Sequence, residues 1–343
     1  MVTTKDKTAL LDGFHRPLRD LRISVTDRCN FRCPYCMPAE IYGGRYRFLP
    51  RDSLLTFEEI TRLTRIMVRL GVGKVRLTGG EPLVRQQISK LVGMLAEIEG
   101  VTDLAMTTNA YLLAPMAQEL KDAGLRRITI SLDSLDPGVF KSMNGRGYDT
   151  RRVLEGIEAA DRAGLTPIKI NSVVQRGVNE HTLVDLARFA RERGYLVRFI
   201  EYMDVGTLNG WKLDQVVPAD EIVRIVSDAM PLEPIEANYG GEVAMRYRYA
   251  DGGGEMGVIA SVSKPFCGDC TRLRLSPEGE IVTCLFASGG TDLRGAMRSG
   301  ASDGELEGIV RGTWGTRRDR YSEIRTLETE RSRKKVEMYH IGG

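Results

Sequence analysis

From about residue 20 to 205 the chain alternates short β-rich runs with stretches of helical period. Apolar and β-branched residues concentrate at 21–27, 75–80, 103–110, 127–134, 167–174 and 196–203, which predicts six strands. Between them, Thr56 and Glu59 form a capping-box pattern. Ile60, Leu63, Ile66, Met67 and Leu70 then recur at helical spacing, with Gly71 as the stop. The stretches 149–164 and 180–194 read the same way, each ending in glycine. Strands that alternate with helices pair in parallel. A partial (β/α)6 barrel fits best, and a doubly wound open sheet is the alternative.

After about residue 215 the alternation breaks. The stretch 240–254 is glycine-rich and is expected to be a mobile connection. The stretches 257–263 and 271–285 have an antiparallel look, with a turn at Ser276-Pro277-Glu278-Gly279. This predicts two parts, a barrel over 1–215 and a C-terminal antiparallel extension over 216–343, packed together.

Composition narrows the class without deciding it. A chain of 343 residues with 42% hydrophobic and 28% charged residues is that of a globular protein with a substantial core. The net charge of +3 gives no bulk argument for nucleic acid. No apolar run reaches membrane-spanning length, and Met1–Lys7 lacks the apolar core of a secretory signal. The expected location is the cytoplasm, with reduced thiols.

Cysteine changes the picture most. The six cysteines form two groups of three: Cys29, Cys33 and Cys36 as CxxxCxxC, then Cys267, Cys270 and Cys284. Three thiolates suit an iron–sulfur cluster with one iron open, whereas a structural zinc site takes four ligands. Two open irons imply two bound small molecules. Cations add a second signal. Arg22, Arg76, Lys169, Arg198, Arg272 and Arg274 fall on strand candidates, and Lys74 directly precedes one. Buried cations are costly unless paired, and the barrel segment offers few strand carboxylates. An anionic ligand with the charge of a polyphosphate is expected inside. His15, His181 and His340 are isolated and receive no role.

The CxxxCxxC with Tyr35 before its last cysteine, followed by Thr78-Gly79-Gly80-Glu81-Pro82 at the end of the second strand, resembles the radical S-adenosylmethionine (SAM) superfamily. The resemblance implies a [4Fe–4S] cluster on Cys29, Cys33 and Cys36, with SAM on its open iron. It places Tyr35, Gly79, Gly80, Glu81, Asn109, Ser131 and Met203 around SAM. Cys267-x2-Cys270-x13-Cys284, Thr271-Arg272-Leu273-Arg274, the stretch from Arg317 to Glu323 and the Ile341-Gly342-Gly343 end are similar to the GTP 3′,8-cyclase family.

That second resemblance implies another [4Fe–4S] cluster, on Cys267, Cys270 and Cys284, which binds the guanine of GTP. It gives Arg22, Lys74, Arg76, Thr107, Lys169, Arg198, Arg272, Leu273 and Arg274 to GTP. Gly342 and Gly343 form a tail that enters the active site. The implied reaction makes 3′,8-cyclo-7,8-dihydro-GTP, the first step of molybdenum cofactor biosynthesis. The implied partners are an electron donor protein and a downstream cyclic pyranopterin monophosphate synthase, with the chain a monomer or homodimer. Competing readings are a two-cluster radical SAM enzyme acting on a peptide, a non-catalytic electron carrier and a zinc-binding module.

Overall fold

The computed structural model describes residues 9–325 and 335–342. Met1–Lys7 and Gly343 lie outside the described residues. Six parallel strands run in chain order: β1 (Asp20–Ser24), β2 (Lys74–Thr78), β3 (Asp103–Thr108), β4 (Arg127–Ser131), β5 (Lys169–Val174) and β6 (Leu196–Glu201). All six coincide with expected strands. The first intervening helix, α1 (Phe57–Arg69), begins at the expected reciprocal cap. The Thr56 hydroxyl accepts from the Glu59 amide at 3.1 Å and the Glu59 carboxylate from the Thr56 amide at 2.8 Å. Its Ile60, Leu63, Ile66 and Met67 are buried against the sheet.

The C-terminal part is antiparallel in its outer strands, as expected, and parallel where it joins the barrel strands. Its strands do not form a separate antiparallel unit. β9 (Glu255–Ile259) pairs in parallel with β6, and β10 (Arg272–Leu275) pairs in parallel with β1. Antiparallel pairing appears only further out, where β8 (Met245–Tyr249) joins β9 to β7 (Leu232–Ile235) and β11 (Glu280–Val282) joins β10 to β12 (Thr291–Asp292). One sheet of twelve strands results, in the order β12-β11-β10-β1-β2-β3-β4-β5-β6-β9-β8-β7. The expected loop at 240–254 contains β8, whose Tyr249 is buried. The turn at Ser276–Gly279 is present, closed by the Gly279 amide on Ser276 O at 3.0 Å.

Register places the cations. Arg22 lies opposite Arg76 on one side and Arg274 on the other, one pleat from the Asp20, Lys74 and Arg272 row. Residues two apart share a face, so these arginines all point to one side of the sheet. On β10 the intervening Leu273 and Leu275 face the core instead.

Candidate active site

The first cysteine loop leaves the end of β1 at the C-terminal mouth of the parallel strands, where α/β barrels keep their chemistry. The Cys36 and Met37 amides both close on Cys33 O, at 2.9 and 2.8 Å. Buried Arg32 staples the loop by donating to the main-chain oxygens of Tyr42, Cys29 and Phe31, each at 2.7 Å. The glycine pair acts on this loop rather than by simple openness toward a ligand. Gly80 donates to Thr26 O and Glu81 to Arg28 O, both at 2.8 Å. A Cβ on Gly80 would run into Arg28 O and Cys29. Glu81 is buried, and its carboxylate accepts from the Thr108 hydroxyl at 2.6 Å and the Asn109 and Leu83 amides at 2.8 and 3.0 Å. Burial still outweighs those bonds and pushes its carboxyl up to about 7.

Cys29, Cys33 and Cys36 face a cavity, and all seven residues expected around SAM line it. Asp133, absent from the expected set, lines it too. It accepts from the Tyr35 hydroxyl at 2.8 Å and the Val173 amide at 2.9 Å, and burial raises its carboxyl to about 6. The donor set fits an iron–sulfur group. Burial pushes the Cys29 thiol up to about 12 and raises Cys33 and Cys36 as well, so their thiolates need a cation beside them. Asn30 Nδ2, in the same loop, is a buried donor with no protein partner. Among the described residues no three His, Cys, Asp or Glu side chains converge on one metal ion. The thiolates of a cubane bind separate irons and need no such convergence.

Cys267, Cys270 and Cys284 face a second cavity. Their loop is held from behind by two buried arginines outside the expected site set, although Arg317 opens a stretch that carries the family resemblance. Arg16 donates to Cys267 O at 2.7 Å and Arg317 to Cys270 O at 2.8 Å, and both pair with buried Asp12. Arg317 also stacks on Trp314, 4.5 Å from the ring centroid. Arg16 lies near one end of the chain and Arg317 near the other, so no local pattern joins them. Burial raises the Cys270 thiol, but Arg272 and Arg317 outweigh it and bring the thiol down to about 6. Arg16 Nη2 is another buried donor without a protein partner, again beside a cysteine loop.

Of the residues expected to hold GTP, Arg22, Arg76, Thr107, Arg198, Arg272 and Arg274 line this second cavity. Three do not. Leu273 is packed in the core. Lys74, one pleat lower, pairs with Asp20 at 3.1 Å and donates to the Tyr239 hydroxyl at 2.9 Å. Lys169 is half-buried at the start of β5, and burial with nearby Arg198, Arg127 and Arg76 lowers it to about 8. Two of the lining arginines have neutral partners. Arg76 donates to the Thr107 and Thr129 hydroxyls at 3.0 Å, and Arg198 to Asn171 Oδ1 at 3.0 Å. Burial and mutual repulsion push Arg22 and Arg76 down to about 9, and Arg274 well down. Such a cluster is built to receive an anion.

The two cavities adjoin. Thr107, Asn171, Ile200, Met203 and Leu285 line both. The tail also arrives here. Buried Gly342 sits at φ 72°, and a Cβ there would meet the Thr78 side chain in the wall of the first cavity. Gly343, its expected companion, lies outside the described residues.

The radical SAM superfamily matches residues 23–190, and the Molybdenum Cofactor Synthesis C family matches residues 195–323. A GTP 3′,8-cyclase of Acidothermus cellulolyticus is 52% identical over 97% of this chain and 98% of that protein. One from Staphylococcus carnosus is 48% identical over 97% of this chain and 99% of that protein. The crystal structure of Streptococcus suis SuiB bound to S-adenosylmethionine shares the fold, with a TM-score of 0.58 and 17% identity over 86% of this chain and 68% of that one. With near-complete coverage at about half identity to such relatives, the chain belongs to the GTP 3′,8-cyclase family of radical SAM enzymes.

Proposed function

We propose that this chain cyclises GTP to (8S)-3′,8-cyclo-7,8-dihydroguanosine 5′-triphosphate between two [4Fe–4S] clusters, one on Cys29, Cys33 and Cys36 and the other on Cys267, Cys270 and Cys284. The carrying observation is that two adjoining cavities, each faced by three cysteines, meet beside a cluster of buried, mutually repelling arginines. When bound, the first cluster supplies the electron that cleaves SAM to methionine and a 5′-deoxyadenosyl radical.

The chain's own side chains bind and orient. Arg22, Arg76, Arg198, Arg272 and Arg274 hold the triphosphate and ribose, and Lys74 and Lys169 stand at the strand starts to meet the phosphate end. Thr107 lies where the cavities join and keeps the ribose toward the SAM side. Met203, Ile200 and Leu285 form an apolar rim at the same junction and exclude water from it. Residues 1–215 carry the first cysteine group and 216–343 the second group and the glycine tail, while both parts line both cavities and share one sheet. Leu273 offers GTP its backbone alone, since its side chain is turned into the core.

The working partners are an electron donor protein and, for the product, a cyclic pyranopterin monophosphate synthase. The chain acts as a monomer or homodimer in the cytoplasm. No helix among the described residues is long and apolar enough to cross a membrane. Iron and sulfide analysis tests the two-cluster arrangement. About eight irons per chain are expected after anaerobic reconstitution. Cys284→Ala should lose about half of them and abolish GTP conversion while leaving SAM bound. Full iron in that variant would refute the second cluster.

A further inference from the structure

The loop that carries the first cysteine group continues into a basic surface that neither cavity uses. Between residues 28 and 51 the chain has five arginines and a single carboxylate, Glu40. Arg32 is buried on main-chain oxygens. Arg28, Arg45, Arg47 and Arg51 are exposed, and none forms an ion pair among the described residues. Surface arginines elsewhere do pair, as Arg176 does with Glu221 at 2.7 Å and Arg298 with Glu59 at 2.8 Å. Asp27, beneath the patch, is buried and accepts from the Leu49 amide at 2.7 Å.

This surface is also the thin wall of the cluster site. Arg28, Tyr46, Arg47 and Phe48 line an open depression. Under it, Met37, Tyr42 and Tyr339 form a small buried cluster, on which Phe48 packs together with Cys29 and Cys36. One apolar layer therefore separates the cysteines from the depression. Ile41 and Tyr46 add exposed apolar surface, 40% and 36% accessible. Electron tunnelling falls steeply with distance, so a carrier must dock where the covering is thin. Encounters of electron carriers bury little area and rely on charge for orientation and speed.

We propose that this face docks an acidic one-electron carrier protein, which reduces the cluster on Cys29, Cys33 and Cys36. The proposal rests on the radical SAM reading above. One electron leaves the reduced carrier, which is oxidised by one, and takes the cluster from [4Fe–4S]2+ to [4Fe–4S]+. No atom is transferred.

The test uses the reconstituted protein and reduced flavodoxin as the probe. Anaerobic titration measures binding, and loss of the cluster's visible absorbance measures reduction. For the wild type, affinity and reduction rate should fall steeply with added salt, while reduction by dithionite should not. The double variant Arg45→Glu/Arg47→Glu should bind the carrier at least tenfold more weakly, yet keep its iron and its dithionite-driven rate. Arg51→Glu should show the same selective loss, smaller in size. Salt-independent reduction of the wild type, or unchanged carrier affinity in the charge-reversed variants, would overturn the proposal. Both readouts precede GTP chemistry. A protein that accepts the electron but leaves GTP intact would refute the cyclase reading and spare this one.

Discussion

The guanidinium of Arg274 donates to the main-chain oxygen of Gly342. A strand of the second cysteine hairpin thereby holds the tail, while Gly342 itself packs on Thr78 beside the first cysteine group. Gly342→Ala should disturb both contacts, because φ 72° is unfavourable for alanine and the added methyl has no room. Turnover should fall about a hundredfold with iron content unchanged, since small misplacements at a reacting centre cost that much. Wild-type turnover in this variant would show that the tail is only an anchor.

The arginine cluster should oppose stability where it serves binding. Arg22 sits among Arg272, Arg76 and Arg198, with Asp20 as the compensating charge. Arg22→Gln should raise the thermal midpoint of the GTP-free protein and weaken GTP binding about tenfold or more, in line with a lost charge-assisted bond of about 1.5–3 kcal/mol. Calorimetric scans with and without GTP read both effects. A variant that loses stability without GTP would contradict the repulsion described here.

Much of this was legible locally, and the remainder was not for physical reasons. The six parallel strands and the Thr56–Glu59 cap announce themselves within a few residues. The parallel pairing of β9 and β10 does not, because their partners β6 and β1 are far away in the chain and the Ser276–Gly279 turn reports only the β10–β11 hairpin. Glycines flanking β8 hid a strand whose Tyr249 packs inward. At the site, cysteines and strand arginines stand out by type and spacing. Leu273 shares a motif with Arg272 and Arg274 yet faces the core by simple alternation. Arg16, Arg317 and Asp12 meet only in the fold, with about three hundred residues between the two arginines.

GTP affinity should fall with rising pH above neutrality. Lys169 is lowered to about 8 by burial and by Arg198, Arg127 and Arg76, with Glu242 acting the other way. A bound triphosphate favours the charged amine and lifts that pKa. The amine's contribution is thus complete at about pH 7 and declines as pH rises through the free-state value. Equilibrium titration of GTP, without reductant, should show the decline, and Lys169→Met should remove it. An identical pH profile in that variant would assign the decline elsewhere.

Glu201 should govern the second cysteine loop from a distance. Fully buried at the end of β6, it accepts from the Ala219, Val262 and Ser263 amides at 2.7, 2.6 and 2.8 Å. It thus ties the start of the helix Ala219–Ala229 to the loop that leads into Cys267. Glu201→Gln leaves an amide NH2 facing a donor and should cost about 1.5–3 kcal/mol in denaturant unfolding. Iron should be lost preferentially from the second site, and unchanged stability with full iron would argue against the tie.

One interior is expected to hold SAM and GTP between the two cysteine triads. The most direct measurement incubates the anaerobically reconstituted protein with SAM, dithionite and GTP and reads the mixture by mass spectrometry. The expected result is 5′-deoxyadenosine together with a new product isomeric with GTP, both dependent on GTP. Deoxyadenosine without a GTP-derived isomer would contradict it.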